Sequence, residues 1–233
     1  MAKADETPQE ATTEDIAALI SQRAETYGLL SRLYRKEVDE ELLGELKGMK
    51  FPTATGSDDI DEGYRQMYEY LRRSWSDSVR ELAIDFVRTF VGHGVNGYSA
   101  AYPYESVYTS ERRLMMQDAR KEVLETFRAN NLKRDRWTEG EDHIALELEF
   151  MQRLSLRAVE ALERGDEDDA LHQLTEQLTF LREHLLNWLP MMVADMHKFS
   201  ATEFYQGLAT LTIGYAEFDE GVLAELTGES DVA

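Results

Sequence analysis

The stretch Asp142-His143-Ile144-Ala145-Leu146-Glu147-Leu148-Glu149-Phe150-Met151-Gln152-Arg153-Leu154 decides the fold class. Its apolar residues recur at helical spacing but lie on several sides of the wheel rather than along one stripe. A helix with one apolar stripe rests on a surface, whereas a helix apolar on several sides is enclosed by other helices. The segment therefore predicts the central helix of a bundle. Asp142 reads as its N-cap, because a carboxylate accepts the free N–H groups of a first turn.

Working outward, helical periodicity continues on both sides. Gly165 ends the central helix and Asp166 opens another through Leu171, Leu174, Leu178, Leu181 and Leu185. Pro190 is expected to begin a further helix rather than kink one. Phe204, Leu208 and Leu211, then Phe218, Val222 and Leu226, close the chain. Upstream, Ile16, Leu19, Ile20, Tyr27, Leu30 and Tyr34 mark a long first helix capped by Thr12 or Thr13. Asp39 can cap a short helix carrying Leu42, Leu43 and Leu46, and residues 50–59 form a connector around Phe51-Pro52 and Gly56. Ile60, Tyr64, Met67, Tyr68 and Leu71 form the next stripe. Val79, Leu82, Ala83, Phe86, Val87 and Phe90 follow the helix template after a cap at Ser74 or Ser76.

One long break interrupts the pattern, at residues 92–109. Three glycines and Pro103 exclude a continuous helix there, and Pro103 biases Tyr102 toward an extended backbone. Four tyrosines are unusual for a connector. Thr109 or Ser110 is expected to cap the next helix, through Met116, Ala119, Val123 and Phe127. The result is an all-α compact bundle of about nine or ten helices without a convincing strand. A polar tail, residues 1–13, precedes a single domain, residues 14–226. If that domain has two lobes, they are 14–132 and 142–226, with a hinge at 133–141.

Composition narrows the function classes. The 233 residues are 42% hydrophobic and 10% aromatic, enough to fill a core. No apolar run approaches the about 20 residues of a membrane span, and the polar N-terminus lacks a secretory pattern, so a cytoplasmic protein without stable membrane insertion is expected. The absence of cysteine removes disulfides, thiolate metal sites and cysteine nucleophiles. With 46 acidic against 25 basic residues, the net charge of -21 repels phosphate backbones and anionic lipids, which argues against nucleic acid as a partner. It suits a basic partner, although acidity also serves plain solubility.

The chemical constellations are sparse. Asp142-His143 could carry a proton or anchor a loop, but no serine or cysteine nucleophile is tied to it by spacing, so no catalytic residue is assigned. A di-iron centre needs paired Glu-x-x-His motifs; Asp169-x-x-His172 stands alone, and His143-x-x-x-Glu147 is only one helical turn, so no metal site is expected. Residues 92–97 have glycines but no lysine, a poor phosphate cradle and a better hinge. Arg72-Arg73 lies mid-chain on a helical face and is not an export signal. The tyrosines at 102, 104 and 108 each bring a hydroxyl that wants a partner. Set beside an acidic body, they suggest a groove for a basic, partly apolar peptide.

Four segments carry a family resemblance. They are Asp85-Phe86-Val87-Arg88-Thr89-Phe90-Val91-Gly92, Pro103-Tyr104-Glu105-Ser106-Val107-Tyr108, the Asp142-His143 helix, and Phe180-Leu181-Arg182-Glu183-His184-Leu185-Leu186-Asn187-Trp188-Leu189-Pro190. Together, in this order and spacing, they resemble the TorD/DmsD/NarJ-like family of chaperones for molybdoenzyme maturation. The resemblance runs from about Ile16 to about Phe218, with Thr89 where the family has Leu. It implies an all-helical fold, no catalytic turnover and no cofactor of its own. The implied partner is the catalytic subunit of a molybdopterin oxidoreductase, bound through its twin-arginine signal peptide before export, with help in cofactor loading. The implied peptide-contact positions are Phe86, Phe90, Pro103, Tyr104, Ser106, Tyr108, Asp142 and His143, with Asp142 as an arginine partner and His184 and Trp188 as structural residues. Monomer and homodimer are both compatible. Two other readings stay open: a helical scaffold for the mature enzyme subunit, and a weak nucleotide-binding hydrolase using Asp142 and His143.

Overall fold

The computed structural model describes residues 12–92, 100–132 and 138–229. Among them the chain is helical throughout: α1 Thr13–Arg35, α2 Glu40–Gly48, α3 Asp58–Arg72, α4 Ser78–Phe86, α5 Glu105–Thr109, α6 Asp118–Ala129, α7 Ile144–Glu163, α8 Glu167–Phe180, α9 Leu186–Phe199 and α10 Glu203–Thr227. Two π-helical stretches extend this set, Val87–Val91 after α4 and Leu181–Leu185 between α8 and α9. The described residues hold no strand, only a single bridge between Tyr104 and His143.

Local chemistry starts several helices where the sequence places them. Thr12 and Asp15 form a reciprocal capping box, satisfying two of the four open donors of α1. Asp39 accepts from Leu42 N at 2.9 Å, and Asp166 accepts from Asp169 N at 3.1 Å. Three expectations are corrected. Asp77, not Ser74 or Ser76, stands before α4, and the Ser78 hydroxyl instead accepts from Trp75 N. Thr109 ends α5 and Ser110 follows it; neither caps the next helix, because residues 110–117 form turns and α6 starts only at Asp118. Pro190 lies inside α9 rather than at its start. The nitrogen of Pro190 cannot donate to Leu186 O, one turn back at the start of α9, and α9 continues through it as far as Phe199.

The core is one cluster running from Ile20 to Leu223. α7 packs along α1, and α3 packs along α10. The second pair is close: a Cβ at Gly207 would lie 2.6 Å from the Gly63 carbonyl oxygen, so only glycine fits there. A buried polar junction ties four helices. Arg23 (α1) meets Asp219 (α10) through Nε at 2.5 Å and Nη2 at 2.8 Å, and Tyr27 donates to the same carboxylate at 2.6 Å. Arg23 Nη2 also donates to Gln177 (α8), which accepts from Ser155 (α7) at 2.8 Å.

Candidate functional site

The expected site residues sit on α4 with its π-helical extension, on α5, at the start of α7 and on α9, and the fold brings most of them together. Phe86 and Phe90 lie one turn apart with ring centroids at 4.9 Å. Phe90 also meets Tyr34 and Tyr205 edge-on, at 5.6 and 5.8 Å. Both phenylalanines are buried, so they form the floor beneath a site and not an open wall. Beside them Asp85 caps α10 from a distance, accepting from Thr202 N at 2.8 Å and from its hydroxyl at 2.7 Å.

The Pro103–Tyr108 segment is stitched to the head of α7 by backbone hydrogen bonds. Glu105 N donates to Asp142 O at 2.9 Å, and Ile144 N donates to Pro103 O at 3.0 Å. These bonds hold Tyr104 opposite His143, ring edge to ring face at 5.0 Å. They also correct the expected cap. Asp142 does not bond the first turn of α7; its Oδ2 accepts from Ser106 N at 3.1 Å and from the Ser106 hydroxyl, which in turn accepts from Gln117 N at 3.2 Å. His143 is the N-cap instead, its Nδ1 accepting from Ala145 N at 3.1 Å. An acceptor Nδ1 places the proton on Nε2. Burial, helped by Arg35, pushes the imidazole pKa down to about 3, so His143 is neutral.

Behind this face lies a buried acidic cluster that sequence reasoning missed. Glu147, one turn past His143, accepts from Trp188 Nε1 at 3.1 Å. Burial, then the Glu105 and Asp142 carboxyls, push its pKa well above the usual carboxylate range. Glu105 meets His184 Nδ1 at 3.0 Å. Tyr108 stacks on Trp188 at 5.6 Å and donates weakly to Asp195 at 3.4 Å. Two buried oxygens in the cluster, Asp142 Oδ1 and Glu147 Oε1, find no partner. The one available signal was the His143-x-x-x-Glu147 spacing, which reads equally as chance.

What reaches solvent is a rim. Pro103, Ser106, Tyr108, Asp142 and His143 are buried, and Tyr104 is half-buried with its hydroxyl on Glu139. Arg120 of α6 pairs with Glu141 through Nε at 2.6 Å. Just before α6, Leu114, Met115 and Met116 are 49%, 49% and 63% exposed, on a backbone that takes φ 50° at Arg113 and 62° at Met116. The glycine-rich residues 93–97 and Tyr98, and residues 133–137 of the expected hinge, lie outside the described residues. The Ser106 hydroxyl donates to Asp142, His143 Nδ1 accepts from Ala145 N, and both side chains are buried away from solvent. Among the described residues, no three His, Asp or Glu side chains are placed to hold a metal ion, and no helix is long and apolar enough to cross a membrane. The face can therefore offer a fixed shape, carboxylates at its edge and apolar sulfur-bearing side chains beside them.

Comparisons with known proteins converge. The family described as "Nitrate reductase delta subunit" matches residues 57–194, more than half of the chain and all the segments above. The chain is 28% identical over 224 residues to the chaperone protein TorD of Vibrio cholerae serotype O1, covering 93% of this chain and 99% of that protein. It is 28% identical over 218 residues to the chaperone protein TorD of Vibrio atlanticus, covering 91% and 99%. The chaperone protein TorD of Photobacterium profundum is 27% identical over 217 residues, covering 90% and 98%.

Proposed function

The chain belongs to the nitrate reductase delta subunit family, and from that premise we infer that it is a cytoplasmic chaperone of molybdoenzyme maturation. It binds the twin-arginine signal peptide of a molybdopterin oxidoreductase catalytic subunit, assists cofactor loading before export, and turns over no substrate. The observation that carries this reading is the join of two surfaces. The Glu139–Glu141 edge and half-buried Tyr104 are linked through Ser106 and Gln117 to the exposed Leu114–Met116 run. A peptide with two arginines followed by an apolar segment complements both parts: charge on the carboxylates, apolar side chains on the adaptable methionines. The buried residues Phe86, Phe90, Pro103, Ser106, Tyr108, Asp142 and His143 hold this face in shape, with His184 and Trp188 behind them.

Calorimetric titration of the full chain with a peptide carrying two arginines and an apolar run tests the reading. Saturable one-to-one binding is expected, weakened by Tyr104→Ala and by the paired Asp142→Ala and His143→Ala change. Absence of saturable binding, together with capture of a client subunit whose signal peptide has been deleted, would leave the mature-subunit scaffold standing in its place.

A further inference from the structure

We propose that Glu141 is the arginine acceptor of this site and that Arg120 is a resident competitor, occupying the acceptor until a client arginine displaces it. The inference rests on the peptide-binding reading above and names the groups that select the peptide.

Asp142, the acidic residue that the sequence favours, is committed elsewhere. One carboxylate oxygen takes both donors of Ser106, and the side chain has no exposed surface. The other oxygen is sealed under Gly140: a Cβ on that glycine would lie 2.7 Å from it. A guanidinium could reach Asp142 only by breaking the Ser106 bonds and lifting the turn that leads into α7. The unpartnered oxygen of Asp142 leaves a buried acceptor beneath the rim that no solvent-borne cation reaches.

Glu141, the residue before Asp142, is buried but already holds a guanidinium that reaches it from the solvent side. Arg120 reaches it from α6 through Nε at 2.6 Å, with the Arg120 side chain 34% exposed and that of Glu141 8% exposed. An incoming arginine replaces like with like, so Glu141 is never left bare and little desolvation is added. What the peptide must displace is an ion pair whose cation side is partly exposed while its carboxylate is buried. Position supports the exchange. Arg120 lies in the first turn of α6, four residues after Met116, so the acceptor that holds it is tied to the helix start that follows the exposed apolar run. A planar guanidinium can also present two parallel N–H groups to the carboxylate, which a lysine ammonium cannot.

Fluorescence anisotropy on the full chain tests this, using a labelled peptide with two arginines before an apolar run and a twin with two lysines. Arg120→Gln is expected to bind the arginine peptide about fivefold tighter than wild type. Glu141→Gln is expected to bind it about tenfold more weakly and to lose the preference over the lysine twin. In the Glu141→Gln background, adding Arg120→Gln should change nothing further. Circular dichroism and a melting curve establish folding for each variant; if Glu141→Gln does not fold, Glu141→Asp, with its shorter reach, must show the same weakening. If Arg120→Gln binds no tighter, or Glu141→Gln keeps its arginine preference, the inference is overturned while the peptide-binding reading stands. A wild-type chain that binds neither peptide overturns both.

Discussion

Two buried polar regions of this molecule solve the same problem differently. At the junction of α1, α7, α8 and α10, one cation meets one anion: Arg23 and Asp219, with Tyr27, Gln177 and Ser155 satisfying most of the remaining polar atoms. At the junction of α5, α7 and the Leu181–Leu185 turn, Glu105, Asp142 and Glu147 are buried together with His184, and two oxygens stay unpartnered. The first arrangement balances its charges one to one, with Arg23 Nη1 as its one polar atom left without a partner among the described residues, as a device that fixes helix register would be. The second buries three carboxyls against one histidine, and burial with that crowding holds Glu147 protonated above the usual carboxylate range.

The largest effect is expected at the balanced junction. Asp219→Ala leaves a buried guanidinium unpaired and should lower unfolding stability by about 3–5 kcal/mol, measured by chemical denaturation. Peptide affinity of the folded protein should not change. A loss of under about 1 kcal/mol would show that the junction is hydrated and that the comparison is drawn too sharply.

Next comes Asp142→Ala, which strands the Ser106 N–H and hydroxyl and should cost about 1–3 kcal/mol. His143, beside it, also makes stability depend on pH. Its folded pKa, about 3, lies below the ordinary histidine value, so it contributes stability above that ordinary value. That stability is lost as pH falls from about 6.5 toward 3. His143→Asn, which can still cap α7, should flatten this part of the stability curve; an unchanged acid limb would remove His143 from the explanation.

The smallest effect, and the most diagnostic, concerns Glu147. A carboxyl whose folded pKa is raised stabilises fully only below its unfolded value, and the contribution fades as pH rises. Glu147→Gln keeps an acceptor for Trp188 and removes the titration. The variant should therefore gain on wild type as pH rises above about 4.5, read from melting temperatures across a pH series. Parallel curves would mean that the cluster does not hold Glu147 protonated, and the contrast between the two regions would collapse.

Much of the fold was legible in the sequence because helices announce themselves locally. The stripes of α1, α3 and α7 follow from 3.6-residue spacing, and the Thr12, Asp39 and Asp166 caps act on donors two or three residues away. The site was legible only as a set of residues. Phe86 and Phe90, which the resemblance implies as peptide contacts, pack against Tyr34 and Tyr205, partners far off in the chain. Asp142 reads as a cap because most aspartates before an apolar helix are caps; here Ser106, 36 positions upstream, offers two donors and His143 takes the capping role.

By itself, the sequence determined the all-helical class, the central place of α7 and the residues that mark the family. Each of these depends on spacing along one chain segment, where neighbours are fixed by covalent geometry. Only the tertiary structure decided which carboxylates are consumed inside and which face outward. That choice rests on contacts between α5, α6, α7 and α9, whose separation in sequence exceeds any helical period. It turns Asp142 into a buried support and leaves Glu141, one residue earlier, just beneath the surface holding the partly exposed Arg120.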